Sequence, residues 1–232
     1  AESNVALIGG ETAEHPGILG VDEYDLAAAS TGVVEKDQLL GPERVRPGDE
    51  VVAIGSSGLH SNGYSLVRHI IDDANMDLAS SVGDSGELLG DLLLEPTLIY
   101  TPAMLAALDA IPGAIHSASH ITGGGIVQNL QRVLPPGSSL TLSRGSWRVP
   151  AVFSLLAEAG GISLTEVEDT WNLGVGFALV VQPGRAKDVA SVFGHHGHDA
   201  WIAGHITDAG DEQGEAAKGV AGGVVRLEGS WS

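Results

Sequence analysis

Cysteine is absent from the 232 residues. That excludes disulfides, thiolate chemistry and any zinc site built on cysteine. Basic residues are scarce, with 11 Lys and Arg against 30 Asp and Glu and a formal net charge of -19. Such a charge is repelled by nucleic acid and by anionic membrane surfaces, so neither is expected as a partner. A phosphorylated ligand stays compatible, because backbone N–H groups and a few arginines set the local field at a loop. No apolar run has the length that spans a bilayer. The opening AESNVALIGG lacks the basic start and cleavage signal of a secretory peptide. A soluble cytoplasmic protein is the expectation. The G-x-S-x-G elbow, the P-loop and the Rossmann fingerprint are missing too, and GVGF, Gly174–Phe177, reads as a turn into a strand.

Glycine is what the chain has in excess, with 33 residues clustered at loops, where backbone can approach a ligand closely. The stretch Val51–Arg68, VVAIGSSGLHSNGYSLVR, reads as strand, glycine-rich loop and helix. Asp49–Ile54 ends in an apolar run, Gly55, Ser56, Ser57 and Gly58 turn the chain, Ser61–Asn62–Gly63 turns it again, and Tyr64–Ile71 returns to helical spacing. A helix N-terminus behind a loop rich in N–H groups suits a phosphate. A plain tight turn explains the glycines equally well, but not His60, Ser61 and Asn62. His60 lies between two turns and outside any periodic apolar run, so Leu59 is expected to turn inward and the imidazole to face a cleft and titrate near its ordinary value of ~6.5. Thr122, Gly123, Gly124 and Gly125, in HITGGG, form a second glycine-rich segment at a helix start, and His120 is placed to line the same cleft. By itself that segment reads as a glycine-rich cap.

Elsewhere, Glu11 and Glu14 are loop carboxylates of the hard-oxygen kind that suits Mg²⁺, although an exposed acidic loop is the plainer reading in so acidic a chain. The HHGH cluster at His195, His196 and His198 lacks supporting carboxylate spacing and is discounted as a metal site. Trp147, Trp171, Trp201 and Trp231 read as core or interface residues. Strands are expected at Val5–Gly9, Tyr24–Val34, Ser139–Leu142, Val175–Val181, Ala200–Ile206 and Val224–Leu227, and a strand or loop at His116–Thr122. Helices are expected at Pro102–Leu108, Ile126–Leu134, Pro150–Ala159 and Arg185–Phe193. Asp72–Gly90 reads as a surface loop and Asp208–Gly222 as a mobile one. Strands and helices alternate without a strict βαβ rhythm, which gives a mixed α/β or α+β fold. A domain boundary is placed near Gly41, and two strands alone make no stable domain, so the chain reads as starting partway through one.

GGETAEHPG, YDLA with GVVEK, GSSGLHSNGYSLVR, EPTLIY, HITGGGIVQNLQRVLP and WNLGVGF together resemble the phosphoribosylformylglycinamidine cyclo-ligases, also called aminoimidazole ribonucleotide synthetases. The motifs stand in that family's order across nearly the whole chain. The sequence departs from the family pattern at Val5, Leu59 and Leu173, where the pattern has cysteine, proline and cysteine. The resemblance implies that residues 1–41 are the end of an N-terminal ATP-binding domain and 42–232 the C-terminal synthetase domain. It implies a homodimer through the N-terminal domain, ATP and Mg²⁺ as cofactors, and formylglycinamidine ribonucleotide as substrate. The implied reaction phosphorylates the formyl amide oxygen, after which the amidine nitrogen attacks and closes the imidazole of aminoimidazole ribonucleotide. In that reading His60 and His120 are the catalytic candidates. Gly55, Ser56, Ser57, Gly58, Ser61, Asn62 and Gly63, with Thr122–Gly125, hold substrate and phosphate. Gly10 and Thr12 lie on the ATP side, and Glu11 is the metal or phosphate-side carboxylate. Two alternatives stay open: another ATP-dependent small-molecule kinase of the same superfamily, and a phosphate-ligand-binding fragment without turnover.

Overall fold

A computed structural model describes residues 2–83, 86–212, 214, 219 and 221–231. Among these described residues six strands form one sheet: β1 (Glu50–Gly55), β2 (Ile115–His120), β3 (Ser138–Ser143), β4 (Val175–Val181), β5 (Ala200–Asp208) and β6 (Val224–Glu228). Their order is β2-β4-β1-β5-β3-β6. All pairings are antiparallel except β3 with β6, which is parallel. Among the described residues six α-helices accompany it: α1 (Tyr64–Asp73), α2 (Leu89–Leu94), α3 (Thr101–Ala110), α4 (Gly125–Gln131), α5 (Ala151–Ala159) and α6 (Ala186–His195). The mixed α/β reading holds.

The apolar run Val51–Ile54 does not alternate because β1 is buried on both faces. Successive side chains point to opposite sides. Val52 and Ile54 meet α3 and α6 through Ala103, Ala107, Val189 and Phe193. Val51 and Ala53 meet α4 through Ile126 and Leu130. A third apolar body collects α1, α2 and α5 around Phe153 and Trp171.

Antiparallel pairing decides where the site lies. His120 at the end of β2 and Ile54 near the end of β1 both pair with Phe177 near the start of β4. The loops that follow β1 and β2 and the segment that precedes β4 therefore leave the sheet at one end.

Three expectations are corrected. Val5–Gly9 and Tyr24–Val34 form no strand, and Leu7 and Ile8 are 95% and 97% exposed. Their apolar pattern suits a strand, but none of the described strands lies beside them to complete a ladder. Asp72–Gly90 is not simply a surface loop. Val82 is buried in it, Ser81 bridges Leu88, and α2 begins at Leu89. A single helical turn and a half, LGDLLL, is too short to show a period. Leu59 does turn inward, but His60 is buried beside it. Of the segment expected to be mobile, residues 213, 215–218 and 220 lie outside those described, while Asp208 closes β5.

The layered core gives a direct expectation. Phe153→Ala, which empties a fully buried site, is expected to cost about 3–5 kcal/mol, whereas Leu105→Ala, at a half-exposed position of α3, is expected to cost under about 1 kcal/mol. Urea unfolding midpoints compare the two.

Candidate functional site

The two glycine-rich loops come together at the shared end of β1, β2 and β4. The Asn62 side-chain oxygen lies about van der Waals distance from the spot where Gly123 would carry a Cβ, 3.5 Å away. The His60 and His120 rings are 6.0 Å apart. Thus His60, Asn62, His120 and Gly123, chosen from two separate stretches of sequence, are brought into one place. Ser61 is exposed, with its hydroxyl 3.2 Å from that of Thr97, and Asn62 is half-buried.

The first half of the loop is committed to the protein itself. The N–H of Gly55 donates to Asp199, that of Ser56 to Gly174, and that of Ser57 to His60 Nε2 at 3.2 Å. The Ser56 hydroxyl lies 2.9 Å from the Gly58 carbonyl and 3.0 Å from Asn172 Oδ1. The Ser57 hydroxyl donates to Pro96 at 2.7 Å. Gly55, Ser56 and Ser57 therefore build the loop, and the donors left for a ligand start at Gly58. In the second loop, Gly124 N–H donates to Asp169 and Gly125 N–H to Thr122. The Thr122 hydroxyl donates to Asn129 Oδ1, and Asn129 Nδ2 donates to the carbonyls of Thr122 and Gly125. Gly124 and Gly125 shape the turn. Both have positive φ, and a Cβ on Gly125 would collide with the Glu168 carbonyl.

The segment just before β4 holds both loops and was not singled out for this from the sequence. Asn172, almost fully buried, accepts from Gly174 N–H at 2.9 Å through Oδ1 and donates from Nδ2 to the Gly58 carbonyl at 2.8 Å. Trp171 packs where Gly63, at φ 85°, would carry a side chain. Leu173, a family departure, is buried and its carbonyl accepts from Trp147.

His60 is 5% exposed and adopts φ 60°, a left-handed conformation unusual for a residue other than glycine. Burial, reinforced by neighbouring His120, lowers its pKa to about 4. The expected titration near neutrality is corrected: the imidazole is uncharged at pH 7. Since Nε2 accepts from Ser57, the ring proton sits on Nδ1, which is buried and has no partner. Burial also lowers the pKa of His120.

Tyr100 completes the cluster. Its ring stacks on Phe177 with centroids 5.2 Å apart, packs 5.2 Å from His198, and its hydroxyl donates to the Gly55 carbonyl at 2.7 Å. Burial pushes its phenol pKa far up. A cavity of about 480 Å³ opens beside it, lined also by Thr97, Met104, His120 and Phe177. Gly176 makes this possible. A Cβ there would overlap the Tyr100 hydroxyl and stand 2.5 Å from His60 Cε1. A glycine inside a strand signals such close approach, which is the cue GVGF carries.

Gly10, Glu11, Thr12 and Glu14 lie on the exposed N-terminal segment. The structure does not bring them to the glycine loops. Among the described residues no three His, Asp or Glu side chains converge as a metal site. No helix of the described residues is long and apolar enough to cross a membrane.

A family model described as AIR synthase related protein, C-terminal domain, matches residues 46–216. The chain belongs to the AIR synthase related family. It is 44% identical over 211 residues to a phosphoribosylformylglycinamidine cyclo-ligase of Sorangium cellulosum, covering 90% of this chain and 61% of that protein. The identity to the Bacillus subtilis protein of the same name is 42%, over 88% of this chain and 59% of that protein. A trifunctional purine biosynthetic protein, adenosine-3, of Gallus gallus is 44% identical over 88% of this chain and 20% of its own length. The chain thus spans about three-fifths of the bacterial relatives it matches. Among solved structures, a thiamine-monophosphate kinase from Stenotrophomonas maltophilia superposes with TM-score 0.51 at 14% identity, over 83% of this chain and 54% of that one. This AIR synthase related chain shares its fold with that kinase.

Two measurements probe the site. Gly176→Ala is expected to stay folded at a cost of about 1–3 kcal/mol, as for an overpacked core, and to expel Tyr100 from its bond to Gly55. Spectrophotometric titration is then expected to show the most alkali-resistant tyrosine ionising at lower pH than in the wild type. The depressed His60 also links stability to pH. Between about 6.5 and 4 the unfolded chain binds a proton on this residue that the folded chain does not, so stability falls as the solution is acidified through that window. At about 1.4 kcal/mol per unit the loss amounts to at most ~3.5 kcal/mol. His60→Asn, a residue that accepts positive φ, is expected to flatten the slope in denaturant unfolding between pH 7 and 4.

Proposed function

We propose that this chain is the C-terminal domain, residues 42–232, with the end of the N-terminal ATP-binding domain, residues 1–41, of an enzyme that closes formylglycinamidine ribonucleotide to aminoimidazole ribonucleotide using ATP. One observation carries the structural side: loops from two distant stretches meet at Asn62 and Gly123 beside a neutral, unpaired histidine donor. The names of the bacterial relatives supply the reaction, and that of the avian relative the setting in purine biosynthesis.

The chemistry needs an amide oxygen made into a leaving group and a ring nitrogen held against the same carbon. Positioning and fixed donors supply most of that. Gly58, Ser61 and Asn62, with the first turn of α1, offer donors to the ribonucleotide phosphate, where the helix N-terminus adds partial positive charge. Thr122–Gly125 shape the opposite wall. His60 serves through Nδ1–H as a neutral hydrogen-bond donor to a substrate oxygen. With Nε2 occupied and its pKa near 4, it is poorly suited to be a general base at neutral pH. His120, exposed at the end of β2, is the candidate for proton transfer.

Mg²⁺ does not fit the described residues on their own. Among the described residues, Glu11 stands on an exposed segment without a second converging ligand. The unpartnered apolar side chains Leu7, Ile8, Val21 and Val33 support an N-terminal segment that completes a sheet elsewhere and a homodimer formed through that domain. The composition supports a cytoplasmic location.

Calorimetric titration tests the reading. The chain is expected to bind formylglycinamidine ribonucleotide, without ATP-dependent product when ATP is added. Asn62→Ala is expected to weaken binding by roughly 10- to 100-fold, the worth of a hydrogen bond to a charged group, and a bulky residue at Gly58, where φ is 144°, to weaken it as well. Product formed by the chain alone refutes the division into domains. Preference for thiamine phosphate refutes the substrate.

A further inference from the structure

We infer that Arg144, Glu168 and Trp231 form a clamp whose task is to position the two glycine loops, so that these three side chains control ligand binding without touching ligand. The inference rests on the reading of those loops as a phosphate-ligand site.

Arg144 follows β3. Its Nε and Nη2 donate to the two carboxylate oxygens of Glu168 at 2.6 and 2.9 Å, a bidentate pair. Its Nη1 donates to the carbonyls of Leu227 at 2.7 Å and Gly229 at 3.1 Å, where β6 runs out. Trp231 Nε1 donates to Glu168 Oε1 at 2.7 Å, and the guanidinium lies 5.9 Å from the Trp231 ring. Trp231 also meets Trp147 edge-on at 5.1 Å, and Trp147 holds the Leu173 carbonyl. The carboxylate of Glu168 is thus bound by three N–H donors from two other parts of the chain. Arg144 and Glu168 are each only 14% exposed, so solvent screens the pair little.

What makes this more than a surface ion pair is the backbone of the residue it holds. The Glu168 carbonyl lies against Gly125 so closely that no side chain fits there, and the next carbonyl, of Asp169, accepts from Gly124 N–H at 2.8 Å. Three residues further on, Asn172 holds Gly58 and Ser56. One short segment, 168–173, therefore presents the Glu168 and Asp169 carbonyls to the second loop and the Trp171 and Asn172 side chains to the first, while the clamp fixes the far side of its first residue. The clamp's charges cancel within it, so its action on the loops is geometric.

Hydrogen–deuterium exchange on the ligand-free chain tests the clamp apart from any ligand. Glu168→Gln keeps the shape and loses the charge; Trp231→Phe keeps an aromatic ring and loses the N–H. Each is expected to raise exchange at Gly124 and at Ser56 by at least tenfold while Val52 and Leu179, central in β1 and β4, keep wild-type protection. The double variant is expected to add little to either single one, because both open the same clamp. Unchanged loop exchange, or an equal rise across the sheet, overturns the proposal. Titration with ribose 5-phosphate supplies the second arm, with the affinity of either variant expected to fall about tenfold. If the wild type fails to bind that probe, the ligand reading of the loops is what fails, and the exchange pattern still decides the clamp.

Discussion

Backbone held against backbone is the constraint on which the site depends. The Glu168 carbonyl sits where Gly125 would carry a side chain, the Trp171 ring where Gly63 would, and the Tyr100 hydroxyl where Gly176 would. Each glycine is required by a neighbour far away in sequence, because the antiparallel order β2-β4-β1 brings the ends of β1 and β2 beside the start of β4. The loops owe their shape to segment 168–176 as much as to their own composition. Ser56 and the amide of Gly124 are spent on that attachment, Gly55 and Ser57 are held by Asp199, His60 and Pro96, and a smaller set, from Gly58 to Asn62, remains at the mouth of the loop.

Charge is handled by cancellation and by dipoles. A chain of formal charge -19 repels an anionic ligand at long range. Close to the loops, Arg144 neutralises Glu168, and burial holds His60 uncharged. On the proposed reading, a phosphate would be attracted by the start of α1 and oriented N–H groups, which are short-ranged and screened little once water is excluded. Selectivity then comes from fit at contact, with little help from steering.

The sequence was legible where the signal is local. β1 and β4 read as apolar runs, and the α1 and α4 helices announced themselves through their glycine-bounded starts. His60, Asn62, His120 and Gly123 each stand out within their own glycine-rich loop, and the fold joins them. Tyr100, Asn172 and Gly176 were missed because their significance is a pairing across the chain: Asn172 reaches Ser56 over 116 positions, and no period or local motif records that. A turn position argues for an exposed His60, and only the packed structure shows Tyr100 and Gly176 of β4 closing over it. The N-terminal strands failed for the opposite reason. Val5–Gly9 has the pattern of a strand, but pattern supplies only half of a ladder.

The state of His60 changes what kind of catalysis the site can support. An exposed imidazole near pKa 6.5 invites proton shuttling, whose rate follows pH through neutrality. A buried one, with Nε2 bound to Ser57 and Nδ1–H unpaired, offers a fixed dipole at no cost in reorganisation when charge develops on an oxygen nearby. Leaving that donor unsatisfied is unfavourable to folding, and the left-handed backbone of His60 adds to the cost. On the proposed reading, a ligand oxygen that reached Nδ1 would recover part of that cost on binding. The same argument explains why the turn must be stapled by Asn172 and clamped from Glu168: a donor that could swing away to find water would lose its advantage before the ligand arrived.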